Sequence, residues 1–183
     1  MKETWQVIFS GVGGQGLMLA GKLLGDAATG FEGKNAVMTS VYGVESRGTF
    51  AKSDVIVSSE EIDYPEALCP DVVIALAAVA YNKYAPSLGK DALLIYDDSI
   101  DSLPSQARQI CLPMAKIAKE ADNLSGINLV ALGALVKMTG IVGEASVVSA
   151  INDEFKAKEK LAILNLKAFN RGLEFVDNLC KMN

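Results

Sequence analysis

The apolar positions of this chain follow two rhythms. Short continuous runs, WQVIFS from Trp5 to Ser10, DVVIALA from Asp71 to Ala77 and ALLIY from Ala92 to Tyr96, have the length and residue types of strands covered on both faces. Between them, apolar residues recur every three or four positions, the spacing of one face of a helix. The first run passes through GVGGQG into LMLAGKLLGDAA, where Leu17, Ala20, Leu23, Leu24 and Ala27 share a face. Further strands are predicted over Ala36 to Val41, over Thr49 to Ser58 after a turn around Gly43 to Gly48, and over Gln109 to Leu112. A helix carrying Tyr81 and Tyr84 ends near Pro86 and Gly89, and Pro113 opens the helix PMAKIAKEA at a first-turn position. After Ser125 three helices follow, INLVALGALVKMTG, EASVVSAINDEF and KEKLAILNLKAFNRGLEFVDNL. Strands alternating with helices predict one α/β domain over residues 1–183: three α/β/α layers, a Rossmann-like, mostly parallel sheet and a helical C-terminal tail.

Composition narrows the chemistry. Of 183 residues, 50% are apolar and 16 more are glycine, above the usual share for a soluble chain, so part of the surface is expected to lie against other subunits or to self-associate in isolation. Histidine is absent, which removes the Ser-His-Asp and Cys-His pairs, an imidazole base and histidine-ligated metals. A net charge of -5 argues against a nucleic-acid binder. Cys69, Cys111 and Cys180 stand far apart with no CxxC pair, so neither a self-contained iron–sulfur cluster nor a disulfide framework is expected. The start MKETWQVIFSGVGGQG lacks the pattern of a signal peptide, and no stretch approaches the roughly 18 apolar residues of a membrane span. These features predict a cytoplasmic protein without membrane or nucleic-acid partners.

Two glycine-framed segments are the candidate sites. Gly11, Gly13 and Gly16, with Gly14 and Gln15 between them, form GxGxxG between a strand and a helix. Glycines there let a ligand approach the backbone, and the helix N-terminus offers free N–H groups to an anion. A dinucleotide site also needs an acid ending the second strand, but Thr39, Ser40, Val41 and Tyr42 stand there; Lys22 lies too far into the helix for a P-loop. An anion site and a turn merely packed against neighbouring backbone both remain open. The second segment, YGVESRG, carries Tyr42, Glu45, Ser46 and Arg47 between strands, near the same sheet edge if the sheet is parallel. Arg47 and Glu45 suit a ligand or a partner's charges, or simply pair within the loop. Elsewhere, Glu60, Glu61 and Asp63 fit a solvated turn. Asp97 and Asp98 end a strand, with Asp98 or Asp101 expected to cap a helix.

GVGGQG followed by LAGKLL, then YGVESRG, SDVIVSSEEIDYP and NLVALGAL (Asn128 to Leu135) together closely resemble the gamma subunit of 2-oxoacid:ferredoxin oxidoreductases, over nearly the whole chain. Thr49 departs from the pattern, in which many relatives carry a second glycine after the Arg-Gly. The resemblance implies a non-autonomous subunit of an enzyme that oxidatively decarboxylates pyruvate, 2-oxoglutarate or a branched-chain 2-oxoacid to acyl-coenzyme A, with ferredoxin as acceptor. It implies thiamine diphosphate, magnesium and iron–sulfur clusters in partner subunits, with coenzyme A as co-substrate. This chain has no GDG segment and no cluster-binding cysteines, so no cofactor, metal or catalytic residue is assigned to it. Its expected role is architectural, with a contribution on the substrate or coenzyme A side. A subunit of the related indolepyruvate enzyme differs only in substrate. The rival reading is a stand-alone nucleotide-binding module with a degenerate glycine turn.

Overall fold

The computed structural model describes residues 2–42 and 49–182, the last by its backbone alone. In chain order the elements are β1 (Thr4–Val12), α1 (Leu17–Glu32), β2 (Asn35–Tyr42), β3 (Phe50–Ser58), β4 (Val72–Ala75), α2 (Ala78–Tyr84), β5 (Leu93–Asp97), β6 (Arg108–Leu112), α3 (Met114–Glu120), α4 (Ile127–Thr139), α5 (Glu144–Glu154) and α6 (Glu159–Met182). The six strands stand in the order β2-β3-β1-β4-β5-β6. β1, β4, β5 and β6 pair in parallel, whereas β3 pairs antiparallel with both β1 and β2. Two reversals leave β2 running the same way as β1, so β3 alone is turned round. The predicted, mostly parallel α/β sheet is therefore present, with one reversed strand inserted between its first two.

The three layers are unequal. Val7 and Phe9 of β1, with Val55 and Val57 of β3, face a large core shared with α1, α3, α4, α5 and α6. On the opposite face a smaller core gathers Ile8, Val73 and Leu94 under α2 and its buried Tyr81. Segment 59–71 fastens to that second face through side chains of the sheet. Ala67 N–H donates to Asp54 Oδ2 (3.3 Å), Cys69 N–H to Gln6 Oε1 (2.9 Å), and Thr39 Oγ1 to the Pro65 carbonyl (3.3 Å). Glu60, Glu61 and Asp63 lie exposed along it, as a solvated turn should.

The predicted helical C-terminal segment is present as α4, α5 and α6 and packs into the large core. α4 is buried from Asn128 to Val136, which is why its sequence is apolar all round. It meets α6 at two glycines. A Cβ on Gly133 would stand 2.2 Å from the Phe169 carbonyl oxygen, and one on Gly172 2.2 Å from that of Val130. Such contact brings the two backbones together as no larger residue allows. The cap expected of Asp98 or Asp101 belongs instead to the buried Asp97. Its Oδ2 accepts from Ala115 N–H at the start of α3 (3.1 Å), while Oδ1 accepts from the Ser99 backbone N–H (3.1 Å) and hydroxyl (2.5 Å).

Candidate functional site

β1 runs out at the C-terminal edge of the sheet, where residues 13–16 turn into α1. Gly11 is still in β1, opposite Ala51, and the space its Cβ would need is taken by Gln15 Oε1 at 2.1 Å. Gln15 itself folds inward. Its Oε1 accepts from Val12 N–H (2.8 Å) and its Nε2 donates to the Leu76 carbonyl beyond the end of β4 (2.8 Å). The amide is spent on the turn and does not face a ligand.

Gly16 caps α1 in the left-handed region, φ 71°, and Gly14 at φ 96° is left-handed too. At Gly16 a side chain is excluded twice over, because its Cβ would also stand 2.5 Å from Asn128 Nδ2. That same nitrogen donates to the Gly16 carbonyl (3.0 Å), which also accepts from Ala20 N–H (3.1 Å). Gly13 differs. Its φ is not positive, and nothing among the described residues lies within 4 Å of where a Cβ would stand. Among the described residues packing gives no reason for glycine there, and a backbone without a side chain allows another molecule to approach closely.

Gly13, Gly14, Gly16, Leu17, Met18 and Tyr42 line a hollow of about 100 Å³, with Val12, Ala51 and Lys52 completing it. Among the described residues, the amides of Gly14, Gly16, Leu17 and Met18 have no acceptor. Left-handed glycines lead into the N-terminus of a 16-residue helix, the end of a helix that carries partial positive charge. The hollow has room for one phosphoryl-sized group, not for a whole nucleotide.

Tyr42 ends β2, is 57% exposed and stands beside the turn, because β2 and β1 run the same way. Glu45, Ser46 and Arg47, the other predicted members of the site, lie outside the described residues. Lys52 and Asp54 are additions from the structure. Lys52 Nζ is 2.6 Å from Oδ2 of the wholly buried Asp54, whose Oδ1 has no hydrogen-bond partner. Asn128 was not anticipated either, although it is the one polar side chain in the run INLVALGALV.

The geometry also bears on the dinucleotide alternative. In a dinucleotide-binding βαβ unit the second strand lies beside the first, and its end meets the ribose. Here β3 separates β1 from β2, so that place is not built. A larger hollow of about 440 Å³ lies beyond the other end of β1, around Trp5, Lys2 and Lys34. Its cations are already engaged, Lys2 with Asp71 and Lys34 with Glu32 and the Ile141 carbonyl. A cluster of the four-thiolate kind does not fit the donors present. The three cysteines are exposed and free, and among the described residues no three His, Cys, Asp or Glu side chains converge as a metal site requires. No helix among the described residues is long and apolar enough to cross a membrane.

Comparison with known proteins adds the following. The family model for pyruvate ferredoxin/flavodoxin oxidoreductase matches residues 6–175. The chain is 38% identical to the 2-oxoglutarate synthase subunit KorC of Methanocaldococcus jannaschii, over 98% of this chain and 97% of that one. Among solved structures it resembles the keto/oxoacid ferredoxin oxidoreductase gamma subunit of Geobacter sulfurreducens, at a TM-score of 0.81 and 33% identity over 94% of this chain and 98% of that one. It also resembles the 2-oxoglutarate:ferredoxin oxidoreductase of Magnetococcus marinus, solved with 2-oxoglutarate, coenzyme A and succinyl-CoA bound. There the TM-score is 0.82 and the identity 26%, covering 97% of this chain but 32% of that longer one.

Proposed function

The chain belongs to the pyruvate ferredoxin/flavodoxin oxidoreductase family as a gamma subunit of a 2-oxoacid:ferredoxin oxidoreductase, and from that premise we propose how it serves the complex. Residues 1–183 act as one unit in the cytoplasm. They build a wall of the enzyme, inactive alone, while thiamine diphosphate, magnesium and the clusters are held by partner subunits and electrons leave to ferredoxin. The proposed 2-oxoacid is 2-oxoglutarate, after the relative at 38% identity. The turn from Gly13 to Gly16 receives a phosphoryl group of coenzyme A, and the segment Tyr42, Glu45, Ser46 and Arg47 meets a partner subunit or that ligand.

The observation that carries this reading is the turn itself. The amides of Gly14, Gly16, Leu17 and Met18 have no acceptor among the described residues, and with Gly13 these residues line a hollow of about 100 Å³ at the C-terminal edge of the sheet, where α/β folds place ligands. Coenzyme A is an anionic ligand bound in the similar Magnetococcus marinus enzyme. The chain's part in the reaction is then to bind and orient the co-substrate, without acid–base or covalent chemistry of its own.

Reconstitution with the partner subunits tests the proposal. The complex should oxidise 2-oxoglutarate in preference to pyruvate or ketoisovalerate and require coenzyme A. Arg47→Ala should weaken assembly or turnover and leave the isolated subunit folded. Unchanged assembly and activity in that variant would remove the loop from the mechanism, and submillimolar binding of NAD or FAD by the isolated chain would favour a nucleotide-binding module instead.

A further inference from the structure

The six residues of GVGGQG divide into those that face the hollow and those that hold it open. We infer that Gln15 and Asn128 are positioning residues of the coenzyme A side of the reaction, acting through the turn rather than on the ligand; this rests on the reading that the turn receives a phosphoryl group. Gln15 bridges the ends of two adjacent parallel strands, taking Val12 N–H on β1 and giving its own N–H to Leu76 past β4. Its carbonyl fills the space that a side chain at position 11 would need. Asn128 reaches across from the first turn of α4, 112 residues on, to the Gly16 carbonyl. It is 2% exposed and occupies the space a Cβ on Gly16 would need, so it holds the position of the cap and keeps it a glycine in the left-handed region.

The consequence is directional. Anion binding by backbone amides depends on several N–H vectors converging, and a rotation of one peptide unit spoils it. The Gly16 carbonyl belongs to the peptide unit whose N–H is that of Leu17, one of the unengaged amides lining the hollow. Holding that carbonyl with Asn128 therefore aims the Leu17 N–H. Gln15 does the same for the entry to the turn by holding Val12. The α4–α6 pair, locked at Gly133 and Gly172, anchors Asn128 in turn. The positions of the two C-terminal helices are thereby written into the geometry of a turn at the start of the chain.

The test uses the reconstituted complex with coenzyme A as the probe, after thermal melting of each isolated subunit has shown it folded. Gly13→Val reports whether the turn contacts coenzyme A at all, since no described residue crowds that position. Asn128→Ala and Gln15→Met remove the positioning contacts. Val136→Ala, a buried site farther along α4, loosens the packing of that helix without touching the turn. Asn128→Ala and Gln15→Met should each raise the KM for coenzyme A about three- to tenfold, the loss expected of a hydrogen bond. The 2-oxoacid KM and the kcat at saturating coenzyme A should hold, and Val136→Ala should lower the melting temperature alone. If Gly13→Val raises the KM and both positioning variants leave it unchanged, the positioning roles are wrong and the site stands. If none of the three changes it, the site reading fails and this inference with it. A rise in Val136→Ala equal to that in Asn128→Ala would reduce Asn128 to a structural residue.

Discussion

Gln15 shows how a residue at the centre of a motif can serve it from behind. In sequence it stands among the glycines as one more member of a candidate anion site, and the local pattern cannot say which way its amide turns. The direction is set by the carbonyl of Leu76, just past β4 and 61 residues away. Asn128 escaped notice for the same reason, and Asp97 rather than Asp98 caps α3 because one residue's difference in register points its carboxylate at Ala115. Tyr84 offers a prediction at this scale. Burial, aided by the charge of Asp54 and opposed by a hydrogen bond with Ser10, pushes its phenol up to about 12. The folded chain thus keeps a proton that the unfolded chain loses near pH ~10. That contribution to stability is complete below pH ~10 and fades as the pH climbs from there toward ~12. Urea midpoints followed over this window should fall more steeply for the native chain than for Tyr84→Phe; parallel curves would contradict the assignment.

Strands and helices were legible from apolar spacing, because each buries a regular face. Their boundaries moved by one to four residues, as with β1, which continues through Gly11 to Val12, and α1, which runs on to Glu32. What spacing does not carry is direction. TFAKSDVIVS has the same alternation read either way, and only pairing with both β1 and β2 reveals β3 as the reversed strand. Nor could glycines in α4 and α6 be told from incidental ones before the helices were seen to cross there. That crossing makes a sharp comparison. Gly133→Ala and Gly172→Ala each drive a methyl group into a backbone carbonyl, which cannot give way as a side chain can. Each should cost about 1–3 kcal/mol or more in denaturant unfolding. Gly30→Ala in α1, where the Cβ meets open space, should instead gain up to about 1 kcal/mol from helix propensity. Equal effects at all three positions would mean that the close crossing is absent.

Over the whole molecule, the chain has no histidine and a surplus of apolar residues, so any part of the chemistry it took would rest on other side chains. Five helices crowd one face of the sheet, whereas α2 and the strap of residues 59–71 cover the other. The exposed side chains of Met18 and Tyr42 both line the hollow at the glycine turn. A related chain is about three times as long, with this fold as about a third of it. The most direct measurement is to purify the chain by affinity from its native cell and identify what accompanies it. Thiamine-binding and iron–sulfur subunits should be recovered with it in fixed ratio, together with coenzyme A-dependent 2-oxoacid oxidation. Recovery of the chain alone, or with partners lacking thiamine diphosphate and clusters, would contradict the account.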